Sequence, residues 1–329
     1  MPTTTYFICT WFLMITNIVI PSISVDKRLL NCLDGISLQK NKNFFVTLVL
    51  DKKKNLISLK EYKFKINLIF VPIGSNMSFK RNLGVKKYKS ELIAFIDSDA
   101  KPFSNWLKNS VSIIKKKKLK VVGGPNIPFP NQSLPEKLTY YCKRSFFVTA
   151  HYNFIKFLSY NTYCDWLDSS NLILDRNIYL DVNGMDENLY IGEDHDLCYR
   201  LKQKFKDLKT FFFSKTVVVY HEDRKVTDYF WQRFCYGLNI FTSKNTLTKR
   251  LLSSLPAIFI ISIIVSLYFN LIYFEIFFSF VFFLFLIIFL DLKKYVENIY
   301  EIILSFFSIL LCNLFYGLGT IFYFFGLSK

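Results

Sequence analysis

The sequence predicts an α/β fold, a mostly parallel sheet with flanking helices, followed by C-terminal transmembrane helices. Three observations predict it. Short apolar runs alternate with helical stretches up to residue 125, the rhythm of parallel strands joined by crossover helices. Asp97 and Asp99 stand directly behind the apolar run Leu92 to Ile96, at the carboxyl end of a buried strand, where open α/β sheets bind ligands. Beyond residue 250 the runs Leu251 to Phe274, Ile276 to Leu290 and Ile302 to Leu327 carry no charge. The first and third meet the roughly 20 apolar residues that span a bilayer, while the second is short and fits a thinned bilayer or a re-entrant hairpin. Two units are therefore expected, residues 1–245 and a membrane region 246–329 with two to three transmembrane helices.

Tyr6 to Ile20 is apolar, with no basic residue ahead of it and no small-residue cleavage site. Its second half reads as the first strand, an N-terminal anchor being the alternative. Further strands are expected at Phe44 to Leu50, Leu68 to Val71, Leu92 to Ile96 and Val121 to Val122. Leu29, Leu30, Leu33 and Ile36 share one helix face, as do Trp106, Leu107, Val111 and Ile114. Gly123-Gly124-Pro125 and the prolines at 128, 130 and 135 mark a turn and an extended connection. Beyond it, Leu138 to Phe157 predicts a helix, Leu172 to Leu174 a strand, and Leu197, Leu201 and Phe205 a helix. Val217 to Tyr220 predicts a last strand, and Tyr229 to Phe241 an amphipathic helix leading to the membrane.

The chain carries a net charge of +17, and because residues after 250 hold four acids and three bases, the first 250 residues carry +18. Such a surface attracts anionic headgroups and phosphorylated substrates, although a Lys-, Asn-, Ile- and Phe-rich genome produces the same bias. No nucleic-acid-binding motif accompanies the charge, so nucleic acid is not an expected partner. Lys249 and Arg250 before the first apolar run, and Lys293 and Lys294 after the second, place both flanks in the cytoplasm. The expected location is the cytoplasmic (inner) membrane, multi-pass, with the N-terminal unit in the cytoplasm. Seven scattered cysteines without a Cys-x-x-Cys pair fit a reducing compartment. The apolar runs lack the intramembrane charge of a transporter path.

Two acidic clusters and a histidine carry the chemistry. Asp97-Ser98-Asp99 in extended backbone would point its carboxylates to opposite sides, one toward a metal and one toward a nucleotide. Gly192-Glu193-Asp194-His195-Asp196 lies just ahead of a helix, where Asp194 meets free amides and the positive helix end, and Asp196 is spaced to pair with Arg200. His221 stands at a strand end. Together these suggest a divalent metal and a catalytic base; helix caps and turn residues would look alike one at a time.

Lys80-Arg81-Asn82-Leu83-Gly84-Val85, Ala94-Phe95-Ile96-Asp97-Ser98-Asp99, Asn183-Gly184-Met185-Asp186-Glu187 and Gly192 to Leu201 follow one another in an order and spacing that resembles glycosyltransferase family 2 over residues 15 to about 240. The resemblance implies the GT-A fold, a Rossmann-like sheet with flanking helices. It implies Asp194 as general base, with Glu193 orienting the site or contacting acceptor, and Asp99 with His221 as ligands of Mn2+ or Mg2+. On the donor side it implies Pro21, Asp51, Lys80, Arg81 and Asp97, and on the sugar or acceptor side Asn171, after Ser169 and Ser170. The chain departs from the family where Pro21-Ser22-Ile23-Ser24 replaces Pro-x-Tyr-Asn and Asp51-Lys52-Lys53-Lys54 replaces Asp-Asp-Gly-Ser. Gln232-Arg233-Phe234-Cys235-Tyr236 matches only part of the Gln-x-x-Arg-Trp motif of processive synthases.

The expected function is metal-dependent, inverting transfer of one sugar from a nucleotide-sugar donor to a membrane-associated acceptor, a polyprenyl-linked glycan or other cell-surface polysaccharide. A processive polysaccharide synthase and an inactive membrane scaffold are the alternatives.

Overall fold

The computed structural model describes residues 14–52, 59–149, 160–189, 191–205, 211–239, 247–268 and 274–326. The first half of the Tyr6 run, the end of the expected Leu138 to Phe157 helix and Phe241 lie outside them.

The chain order is β1 (Thr16–Ser22), α1 (Lys27–Ser37), β2 (Phe44–Asp51), β3 (Ile66–Val71), α2 (Met77–Lys87), β4 (Leu92–Ile96), β5 (Ala100–Pro102), α3 (Trp106–Lys117), β6 (Val121–Gly123), β7 (Asn126–Pro128), α4 (Leu134–Arg144) and α5 (Phe146–Thr149). There follow β8 (Thr162–Cys164), β9 (Asn171–Asp175), α6 (Arg176–Asp181), α7 (Glu193–Lys204), β10 (Phe211–Phe213), β11 (Val219–His221), α8 (Val226–Leu238), α9 (Leu247–Tyr268), α10 (Phe274–Leu292) and α11 (Ile299–Phe324).

An eight-stranded sheet runs in the order β3-β2-β1-β4-β9-β6-β10-β8, and a three-stranded sheet in the order β5-β11-β7. β3, β2, β1 and β4 are parallel, whereas β9 runs antiparallel to both β4 and β6. β1 and β4 are buried at every position, as strands covered by helices on both faces must be, and their side chains divide between two apolar cores. Asp26 caps α1 by accepting from the Leu29 amide at 3.0 Å, and Asn76 caps α2 by accepting from Phe79 at 2.7 Å. α2 sits close on the sheet because Gly84 has no side chain: a Cβ there would fall 2.6 Å from Val19.

Two expectations are corrected. The last strand of the N-terminal unit is shifted from Val217–Tyr220 to Val219–His221, so His221 lies within it; the Val217 carbonyl is taken by an asparagine side chain. Asp97-Ser98-Asp99 is a turn rather than an extended segment, closed by the Ala100 amide donating to the Asp97 carbonyl at 3.1 Å. Among the described residues only α11 is both long and apolar enough to cross a membrane.

Candidate active site

The turn after β4 carries Asp97 and Asp99 off the carboxyl edge of the sheet, and β5 pairs antiparallel with β11 so that Ala100 lies opposite His221. The Glu222 amide donates to the Asp99 carbonyl at 3.1 Å and locks that register. His221 Nε2 thereby stands 3.5 Å from Asp99 Oδ1 and 3.9 Å from Asp97 Oδ2. One ligand atom from each of the three residues lies within 4.8 Å of the others. Both carboxylates converge on the imidazole, contrary to the opposed arrangement expected for an extended pair, because the turn cancels the strand's alternation.

This group fits a divalent cation. His221 Nδ1 faces the Glu222 carbonyl at 3.0 Å and must donate to it, which leaves Nε2, facing the carboxylates, as the nitrogen that a cation would engage. Asp99 Oδ1 is buried and accepts no hydrogen bond, an arrangement that a cation would satisfy. Burial disfavours the imidazolium, but Asp99 and Asp97 outweigh it and hold the His221 pKa above the ordinary histidine value. Burial likewise opposes the Asp97 charge, and Arg81 and His221 overcome it, holding that carboxyl well below the usual carboxylate range.

Arg81, on α2, ties the group to a second carboxylate cluster. Its Nη2 donates to Asp97 at 2.8 Å and its Nη1 to Glu193 at 3.1 Å, with the side chain only 4% exposed. Glu193 opens α7, and Gly192 before it adopts φ +81°, a left-handed conformation that a side chain disfavours. Asp194 lies inside the first turn of α7 rather than ahead of it. Its carboxylate accepts the His195 amide at 2.8 Å and the Ser169 amide at 3.4 Å, and its charge acts on Arg81. Asp196 pairs with Arg200 at 2.6 Å.

Pro21 is buried at the end of β1 in register with Val49. Lys80, fully buried, reaches Asp51 at 2.7 Å and the Ser22 carbonyl at 2.9 Å, so the two charges are paired in the protein interior. Lys80→Met is expected to lower stability by about 3–5 kcal/mol, since Asp51 would remain as an uncompensated buried charge. Adding Asp51→Asn should recover much of the loss; equal denaturation midpoints for Lys80→Met and the unaltered chain would refute the pairing.

Asn171 is 1% exposed and its amide is fully engaged. It accepts from Trp106 Nε1 at 2.8 Å and donates to the carbonyls of Val217 at 2.8 Å and Pro125 at 3.3 Å. Asn171 thus joins α3 to the segments bearing β7 and β11. Sequence reasoning missed Asp223, which accepts from Lys143 and Gln132, each at 2.7 Å, and anchors the end of β11 to α4. Its position after His221 was visible; its partners, eighty and more residues away, were not.

A family model described as "Glycosyltransferase like family 2" matches residues 52–254, more than half of the chain. The pre-mycofactocin glycosyltransferase of Mycobacterium tuberculosis is 24% identical over 181 residues, covering 52% of this chain and 36% of the relative. The amylovoran biosynthesis glycosyltransferase AmsB of Erwinia amylovora is 27% identical over 107 residues, 30% of this chain and 36% of the relative. The chain thus matches about a third of the length of these curated relatives. Among solved structures, the mannosyltransferase PcManGT from Pyrobaculum calidifontis in complex with GDP-Man and Mn2+ is 13% identical over 68% of this chain and 61% of that one, with a TM-score of 0.47. S. aureus TarS 1-349 in complex with UDP-GlcNAc is 14% identical over 95% and 92%, with a TM-score of 0.46.

Proposed function

This chain belongs to glycosyltransferase family 2, and on that premise we propose that it moves one sugar from a nucleotide-sugar donor to a membrane-associated acceptor, a lipid-linked or surface glycan, with inversion at the anomeric carbon. The observation that carries the reading is the convergence of Asp97, Asp99 and His221, joined through Arg81 to the α7 turn that bears Asp194.

Asp99 and His221, with Asp97 beside them, would hold Mn2+ or Mg2+. A cation held by these residues would offset the charge that builds on the departing nucleoside diphosphate. Asp194 takes the proton from the acceptor hydroxyl as that oxygen attacks the anomeric carbon. Attack opposite the leaving group inverts the centre. Glu193, held by Arg81, fixes the helix turn on which the base stands. The apolar C-terminal helices and the basic N-terminal unit support a site at the cytoplasmic face of the inner membrane, beside an acceptor embedded in it.

The test is thermal shift of the detergent-purified chain against UDP, GDP and their sugars, with and without Mn2+. One nucleotide should raise apparent stability only with the metal, by about 2.7 kcal/mol at a hundredfold excess over Kd, and Asp99→Ala should lose the effect. Protons compete with the cation for His221, so the Mn2+ response should strengthen as pH rises through that residue's raised pKa and fade below it. No response to any nucleotide would overturn the reading.

A further inference from the structure

α11 is 26 residues long, about 39 Å at 1.5 Å per residue, which is enough to cross a bilayer. Its surroundings are those of a different kind of helix. At its start Glu301 accepts from Lys137 at 3.1 Å and from Tyr141 at 2.7 Å, both on α4. Midway, Asn313 donates to the Phe147 carbonyl of α5 at 3.0 Å. Further on, the Arg233 guanidinium of α8 lies 4.4 Å from the Tyr316 ring centre, and Phe322 meets Phe234 edge-on at 5.6 Å. Reciprocal glycines bring the backbones of α8 and α11 together: a Cβ at Gly237 would fall 2.1 Å from the Tyr316 carbonyl, and one at Gly319 would fall 2.1 Å from that of Phe234.

Elements of the catalytic unit therefore accompany α11 from its first turn almost to its last. These elements cannot enter hydrocarbon. α8 begins at Val226, just past the metal-site residue His221, and the connection between them is irregular and charged. It includes Asp223, which is paired with Lys143 of α4. Lipid-exposed irregular backbone does not occur within the hydrocarbon layer, and each charge there is expensive. A crossing α11 would carry all of this with it. α9 and α10 pack on α11 as well, α9 by Pro256 and Ala257 against Gly317, and α10 by Phe285 against Phe306.

Another side of α11 is apolar and exposed. Ile303, Phe307, Leu311 and Leu314 form an exposed stripe along it, and Phe283 of α10 and Ile261 of α9 are exposed as well. The +17 net charge of the chain, and Lys294, 72% exposed in the segment that precedes α11, match an anionic headgroup layer.

We propose that α9, α10 and α11 form a platform sunk into a single leaflet of an anionic bilayer, with α11 lying along the membrane and both of its ends on the side of the catalytic unit. The lipid surface is the partner of the exposed stripe, and the expected two to three crossings are replaced by in-plane contact. This goes beyond the transfer reaction and does not depend on it.

Short epitopes inserted after Lys294 and appended after Lys329 flank α11 in the full chain. Probed in inside-out and right-side-out membrane vesicles, both should be reachable from the cytoplasmic side alone. Epitopes found on opposite sides would overturn the proposal. Purified chain should partition onto vesicles containing phosphatidylglycerol more strongly than onto phosphatidylcholine alone. Phe307→Glu with Leu314→Glu should reduce that partition at least about tenfold with unchanged cooperative melting, because exposed apolar positions have been made acidic. Unchanged partition, or a stable oligomer that ignores vesicles, would assign the stripe to a second copy of the chain and overturn the lipid partner. Neither readout uses sugar transfer, so failure of nucleotide binding would leave this test intact.

Discussion

Asp194→Asn is expected to lower turnover by about 10²–10⁴-fold, the usual contribution of a positioned general base, while the Mn2+-dependent response to donor persists. The substitution keeps the size of the side chain and one oxygen, which can still accept the His195 amide at 2.8 Å, while the longer contact to the Ser169 amide at 3.4 Å, made by the other oxygen, is given up; α7 should keep its first turn. Beyond that weak contact, it removes the capacity to take a proton. Single-turnover transfer, measured beside donor binding on the same preparation, separates the two effects. Normal transfer by the variant would remove Asp194 from the mechanism. Loss of donor binding together with transfer would make it a positioning residue for the α7 turn instead.

Arg81→Met should be the more destructive change. One nearly buried guanidinium joins Asp97 to Glu193, and its loss removes the cation that the two carboxylates share. A stability loss of about 3 kcal/mol is expected, at the lower end for a broken buried pair because Asp97 is itself 30% exposed. Turnover should fall further than stability alone explains, since the α7 turn is no longer tied to the metal-site turn. Arg81→Lys retains the charge but cannot fork between two carboxylates, so it should restore part of the melting temperature and little of the activity. Full activity in Arg81→Lys would show that charge alone, and not the tie between the two turns, matters there.

The same two residues mark where sequence reasoning stopped. Lys80 and Arg81 are adjacent cations, and the family resemblance assigned both to the donor. On a helix, neighbours point about 100° apart. That rotation sends Lys80 down to Asp51 and the end of β1, and Arg81 across to Asp97 and Glu193. Nothing in their adjacency distinguishes them. Asn171 illustrates the same limit. A polar residue at the start of a strand reads equally well as a site residue or a brace, and only the three segments that converge on its amide identify the brace.

The sequence by itself determined the acidic edge and the strands β1, β2, β3, β4, β6 and β9, whereas the short strands β5, β7, β8 and β10 carry no pattern of their own and β11 starts two residues later than expected. β1, β2 and β4 are near-continuous apolar runs because parallel strands are covered on both faces, and Asp97 and Asp99 follow the last of them. It also determined that the C-terminal third contains long apolar helices, since composition over a window suffices for that. Tertiary structure decided that Asp97, Asp99 and His221 meet, because the β5–β11 pairing joins residues more than a hundred positions apart and no local pattern encodes it. It also decided which face of α11 touches protein. A helix that crosses a bilayer and one that fills the junction between a soluble domain and a membrane surface have the same apolar composition. They differ in what lies against each side, which is a property of the assembled chain and not of the segment.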